Sequence, residues 1–257
     1  MSAVSLGKRS ISLETAAKRL SKTLAPYVAE PPEKAPHVLD PLDYAWGLHR
    51  SYLRTYAPAE PGIEAVLVGM NPGPWGMAQT GVPFGSPDYV RDFLGLSGEV
   101  KEPANTHPKR PILGLESPRT EVSGQRLWGG IEACFGSPEA FFARFFVLNY
   151  CPLVWQNERG ANVTPDKLGK DYMADCAEAC DLHLAQALQR LEPRIAIGVG
   201  KWAEKQLEQV CERFELDIEV GTILHPSPAS PIANRGWLER ARAQLEELGH
   251  PWPEPSA

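Results

Sequence analysis

The chain has 257 residues, 43% hydrophobic and 23% charged, with a formal net charge of −6. That length fits one large α/β domain with a full core. The acidic balance disfavours a protein that coats nucleic acid indiscriminately, although a local basic face needs only a few cations. No apolar run approaches the roughly 20 residues that cross a bilayer, and the N-terminus lacks the apolar stretch of a secretory signal. Five scattered cysteines and six scattered histidines form no ligand pattern or disulfide framework. A cytoplasmic protein without metal or membrane segment is expected.

In chain order, Ser12 caps a predicted helix over 12–28 with Leu13, Ala17, Leu20 and Leu24 at helical spacing, which Pro26 is expected to shorten. A proline-rich linker over 30–36 leads to a second helix, with Asp40 as cap and Pro41 at its first position. Residues 63–70 read as a buried strand. Residues 87–94 read as one or two helical turns, and 97–120 as an irregular surface stretch. Helices follow over 123–135 and 171–191, with a turn over 139–144 and a strand over 145–148 between them. Cys176 and Cys180 sit at i, i+4 in the long helix and read as core residues. Strands over 195–200 and 218–224 are each followed by a helix, 201–214 and 237–248. Strands alternating with helices give a parallel sheet covered on both faces. The chain divides into an N-terminal helix and linker (1–37), the main domain (38–249) and a frayed proline-rich tail (250–257).

The informative stretch is 67–85, Leu-Val-Gly-Met-Asn-Pro-Gly-Pro-Trp-Gly-Met-Ala-Gln-Thr-Gly-Val-Pro-Phe-Gly. It has too many Gly and Pro for a regular element, and it carries no charge between Glu64 and Asp88. A stiff, neutral, apolar loop at the C-terminal end of a strand is where an open α/β sheet binds its ligand. Asn71, Gln79, Thr80 and the backbone amides are its polar groups, and Trp75 or Phe84 can stack on a flat ligand. Two more strands end alike, at Asn149-Tyr-Cys-Pro152 and His225-Pro226, so three polar groups can converge on one crevice. Gly198-Val-Gly-Lys201 meets neither phosphate-loop pattern, since Trp202 follows the lysine. Its helix N-terminus can still hold one nucleic-acid phosphate. No nucleophile elbow or carboxylate pair marks the crevice.

Residues 69–85 resemble the first motif of the single-strand-selective monofunctional uracil-DNA glycosylases, as a bacterial-type member. His225-Pro-Ser-Pro228 is similar to that family's second motif, and Asn149-Tyr-Cys-Pro-Leu153 to its pyrimidine-reading strand end. Pro41-Leu-Asp-Tyr-Ala-Trp46, Glu121-Val-Ser-Gly124 and Asn234-Arg-Gly-Trp237 add to the likeness, which spans roughly residues 38–249.

The resemblance implies a three-layer α/β/α sandwich around a four-stranded parallel sheet. It also implies hydrolysis of the N-glycosidic bond of uracil in single- and double-stranded DNA, without cofactor, by a monomer acting on nucleoid DNA. By position, Asn71 holds the attacking water and His225 stabilises the departing base. Asn149 reads the pyrimidine edge and Phe84 stacks on it. Gly69, Met70, Gly73 and Met77 line the pocket, the last two on the C5 side that admits hydroxymethyluracil. Lys201, Pro226, Ser227, Pro228, Ser230, Asn234 and Arg235 are the DNA contacts, with Lys109 and Arg110 as further members of a basic face. The family often carries arginine after the second motif, whereas this chain has Ala229 and Ser230. Weak insertion into duplex and a preference for single strands or mismatches are therefore expected. The alternatives are a glycosylase shifted to xanthine or hypoxanthine, a non-catalytic binder of damaged single-stranded DNA, and a small-molecule nucleosidase.

Overall fold

The computed structural model describes residues 6–7 and 10–255. Helix α1 (Leu13–Ala29) is capped by Ser12, whose hydroxyl accepts the Thr15 amide, and it runs through Pro26 rather than stopping there. After β1 (His37–Leu39), the single helix read over 40–56 is broken at Ala45 into α2 (Pro41–Tyr44) and α3 (Trp46–Tyr56). The break separates two supports of the loop after the next strand. Tyr44 donates its hydroxyl to the Ala78 carbonyl, and His49 Nδ1–H donates to the Gly81 carbonyl at 2.8 Å.

The order continues with β2 (Ala65–Gly69), the short α4 (Met77–Thr80), α5 (Val122–Phe135), α6 (Pro138–Phe142) and β3 (Phe145–Asn149). Two short strands follow, β4 (Val154–Gln156) and β5 (Asn162–Val163). The chain closes with α7 (Lys170–Leu191), β6 (Ile195–Val199), α8 (Lys201–Arg213), β7 (Glu219–Ile223) and α9 (Trp237–Glu247).

The main sheet runs β3-β2-β6-β7 with every pair parallel. Helices flank it, so β2, β3 and β6 are buried along their whole length. That is why each reads as an unbroken apolar run rather than an alternating one. The register pairs Gly69 with Asn149, and the ladder continues beyond the strands through Tyr150 N–H to Gly69 O and Cys151 N–H to Met70 O. Two strand ends of the candidate site are thereby locked side by side. Helix α1 packs on α7 and sends Leu13, Leu20 and Leu24 into the core.

Two further features depart from the expectation. A second, antiparallel sheet, β1-β4-β5, was not legible, because its strands are two or three residues long and β1 pairs with β4 across more than 100 positions. The tail is not frayed where it is described: Trp252 is buried and meets Phe135, Phe141 and Phe145 edge-on. Cys176 and Cys180 are core residues as read, and with Cys151 they form a buried thiol cluster, mutually within 4.8 Å. Burial holds the Cys151 and Cys180 thiols above the ordinary range.

Candidate active site

The C-terminal ends of β2, β3 and β7 open onto a pocket of about 400 Å³. Met70, Asn71, Gly73, Phe84, Asn149, His225, Ser227 and Pro228 line it, so the three strand ends converge as expected. Gly69 and Met77 lie one layer behind. A β-carbon at Gly69 would stand 2.3 Å from Asn149 Oδ1 and 2.6 Å from the Phe84 ring. Only glycine lets those two side chains meet over the strand end.

Asn149 is turned by its supports. Its amide nitrogen donates to Met77 Sδ at 3.1 Å, and its Oδ1 is buried with no partner among the described residues. A buried acceptor left open is costly in a finished core. In a pocket it is an unfilled half of a ligand contact. Asn71 donates to the Leu153 carbonyl at 3.3 Å, which leaves its own oxygen for the pocket.

Phe84 has a left-handed backbone (φ 55°), rare for a bulky side chain. The turn that imposes it is tied at each residue. The Thr80 hydroxyl donates to Gly85 O, Gly85 N–H to Val82 O, and Trp128 Nε1–H to Pro83 O. Gly124 of α5 admits the Phe84 carbonyl at a distance where a β-carbon would stand 2.2 Å from it. The result presents the Phe84 ring to the pocket, 6.1 Å from the His225 ring.

His225 is neutral and its tautomer is set. Burial lowers its pKa to about 4, and the Ser227 amide donates to Nδ1 at 3.0 Å. The ring proton therefore sits on Nε2, as a donor. Arg126 of α5 fixes the turn by donating to the Pro226 and Ser227 carbonyls, at 3.1 and 3.3 Å, and to Asn234 Oδ1 at 2.8 Å.

Several readings are corrected. Gln79 and Thr80 do no work in the pocket. Gln79 bridges the Pro74 and Pro111 carbonyls and the Leu113 amide, Thr80 holds the Phe84 turn, and both are fully buried. Trp75 does not line the pocket, and Phe84 is its aromatic wall. Of the expected DNA contacts, Asn234 is exposed and is held in place by Arg126 and by the Pro228 carbonyl. Ser230 Oγ accepts the Ala233 amide. Lys201 is exposed and pairs with Glu204 at 2.8 Å, while Arg235 is exposed and makes no ion pair among the described residues. The glycines beside Lys201 serve packing. A β-carbon at Gly198 would meet the Glu204 amide at 2.2 Å, and Gly200 backs onto His225.

The neutral loop also acquires a carboxylate. Glu121 lines the pocket and accepts the Trp75 amide at 3.2 Å and the Ser123 hydroxyl at 3.1 Å, and burial raises its pKa. A β-carbon at Gly73 would fall 1.9 Å from it. Glu121, Arg126, Asn162 and Thr164 were missed as functional residues. Asn162, on β5, brings another buried Oδ1 without a partner to the pocket wall.

Residues 58–246 match the family described as the uracil DNA glycosylase superfamily. The single-strand selective monofunctional uracil-DNA glycosylase of Rattus norvegicus is 44% identical over 218 residues, 85% of this chain and 78% of the relative. Its counterpart in Bos taurus is 45% identical over 212 residues, 82% of this chain and 77% of the relative. The crystal structure of wild-type SMUG2 from Pedobacter heparinus superposes with a TM-score of 0.61 at 17% identity, covering 90% of this chain and 98% of that one, and shares the fold. The chain belongs to the uracil-DNA glycosylase superfamily and, within it, to the single-strand selective monofunctional uracil-DNA glycosylases.

Proposed function

We propose that this protein hydrolyses the N-glycosidic bond between uracil and deoxyribose in DNA, releasing free uracil and leaving an abasic site in an uncut strand. The observation that carries the reading is the pairing of an open acceptor with a fixed donor in one pocket. Asn149 Oδ1 has no partner among the described residues, and His225 offers Nε2–H. Uracil presents a donor at N3 and acceptors at O2 and O4. Asn149 Oδ1 receives N3–H, its amide nitrogen reaches O4, and His225 meets O2. Cytosine has an unprotonated N3 and an amino group at C4, so it would leave both halves of the Asn149 contact opposed.

The base is flipped from the strand to reach the pocket and stacks on Phe84. As the bond breaks, the electron pair goes to the uracil ring and negative charge gathers on O2. A neutral donor already aimed there needs no reorganisation. The sugar becomes cation-like, so the incoming water needs placement more than deprotonation, and the Asn71 oxygen supplies it. The same pocket accepts hydroxymethyluracil if the Gly73 side has room at C5. Access to single strands and mismatches exceeds access to matched duplex, because the turn after Pro228 carries Ala229 and Ser230, with Ile232 (53% exposed) as the apolar residue to wedge.

The test incubates the protein with end-labelled uracil-containing oligonucleotide and separates base from strand. Free uracil and a strand that breaks only after alkali are expected. Breakage without alkali would refute the monofunctional reaction, and release of xanthine or hypoxanthine but not uracil would refute the base assignment.

A further inference from the structure

We propose that Trp75, Arg110 and Arg119 form a platform that holds the unpaired nucleotides flanking the flipped base; this rests on the glycosylase reading above. Trp75 is the aromatic of the loop that the pocket leaves unused. Two guanidinium groups lie over its indole, Arg119 at 4.6 Å and Arg110 at 5.0 Å from the ring centroid. Several surface arginines are engaged with carboxylates, Arg50 and Arg54 with Glu14, Arg144 with Glu64, and Arg213 with Glu178 and Asp181. Arg110, Arg119 and the exposed Lys109 make no ion pair among the described residues. Arg110 donates to the Gly160 and Lys109 carbonyls, and the Arg119 side chain stacks over Trp75 and makes no hydrogen bond or ion pair among the described residues. In a chain of net charge −6, three uncompensated cations on one patch are a local basic face.

The patch adjoins the pocket mouth. Trp75 follows the pocket residue Pro74 and donates its amide to the pocket residue Glu121, and Arg119 precedes that glutamate by two positions. Exposed Leu113 (48%) and Val122 (39%) place apolar surface along the same segment. Glu102, Glu116 and Glu121 are the carboxylates closest along the chain, and none pairs with these cations. Guanidinium planes and apolar side chains receive base faces, and the charges neutralise phosphates. A duplex keeps its base faces stacked inside, so such a platform favours single strands without contacting the flipped base.

The experiment titrates labelled, uracil-free oligothymidylate and a matched duplex with full-length protein across a salt series, comparing wild type, Arg119→Gln and Arg110→Gln/Arg119→Gln. Lys22→Gln, an exposed substitution on α1, controls for net charge. The expected result is about tenfold weaker single-strand binding in the double variant at low salt. Its slope of log K against log salt should be shallower by about 1.4, and that of Arg119→Gln by about 0.7, as one phosphate contact per arginine requires. Duplex binding, and kcat on a saturating uracil oligonucleotide, should stay within about twofold, as loss of a contact remote from the reacting bond predicts. An unchanged slope in Arg119→Gln, or equal losses on single strand and duplex, would overturn the proposal. If wild type releases no uracil from any DNA, the glycosylase reading fails instead, whatever the titration shows.

Discussion

Asn149 carries the account at the scale of one residue. Its Oδ1 is buried and unpartnered among the described residues, a state that costs stability in the free protein and that a bound pyrimidine would relieve. Asn149→Ala should therefore lower kcat/KM on a uracil oligonucleotide by about 10²–10³-fold while shifting the melting temperature little. A thermal scan beside the kinetics checks both halves, and a collapse in stability with activity retained would contradict the assignment. Asn71, Asn149 and His225 were legible because each ends an apolar run, and an open parallel sheet brings such ends to one edge. Gln79 and Thr80 looked equally available. What removed them was the backbone of the loop itself, whose carbonyls and amides needed partners once folded. Glu121 opens one of the stretches that carry the likeness, yet its place in the pocket was not legible because it arrives from a helix start 48 positions after Gly73. The small residue at 73 was its trace, since any β-carbon there would collide with the carboxylate.

Among the elements, the turn after β7 shows how a helix from another part of the chain governs the chemistry. Arg126 of α5 grips the Pro226 and Ser227 carbonyls and Asn234 at once, and Ser227 in turn sets the His225 tautomer. Arg126→Ala should reduce kcat by about tenfold through a loosened His225. Arg126→Lys should recover little, because an ammonium does not span three acceptors as a planar fork does. Single-turnover rates on a saturating oligonucleotide check this, and full activity in Arg126→Ala would show that the turn holds itself. The long helices and the buried strands were readable from periodicity and from unbroken apolar runs. The sheet β1-β4-β5 was not, since two or three residues give no period. Its pairing follows from where the parallel sheet leaves the chain, and so Asn162 and Thr164 entered the pocket unannounced.

Taken whole, the molecule buries titratable groups that tie its stability to pH. Burial lowers His49, His183 and His225 to about 4, below the roughly 6.5 of an unfolded histidine. As pH falls from about 6.5 towards 4, the unfolded chain takes these protons and the folded chain does not, so all three destabilise. Asp40 opposes them: burial raises it to about 6, so the folded state takes its proton first. Burial raises Glu121 and Asp181 in the same direction as Asp40, and each proton that the unfolded chain takes up in excess is worth about 1.4 kcal/mol per pH unit. Denaturant titrations at several pH values should show stability dropping from pH 6 to 4.5. A flat profile would contradict the burial of these rings. Over the same range His225 stays neutral, so the rate constant per folded molecule should hold level from pH 8 to about 5.

The central claim is that a water-holding asparagine and a neutral histidine donor remove uracil from DNA. It is tested most directly by single-turnover release of free uracil from a single-stranded oligonucleotide by wild type, Asn71→Ala and His225→Ala. Release by wild type and losses of about 10²–10³-fold for each variant are expected, the size of one preorganised contact to a developing charge or nucleophile. Equal rates for all three proteins, or no release by wild type, would contradict it.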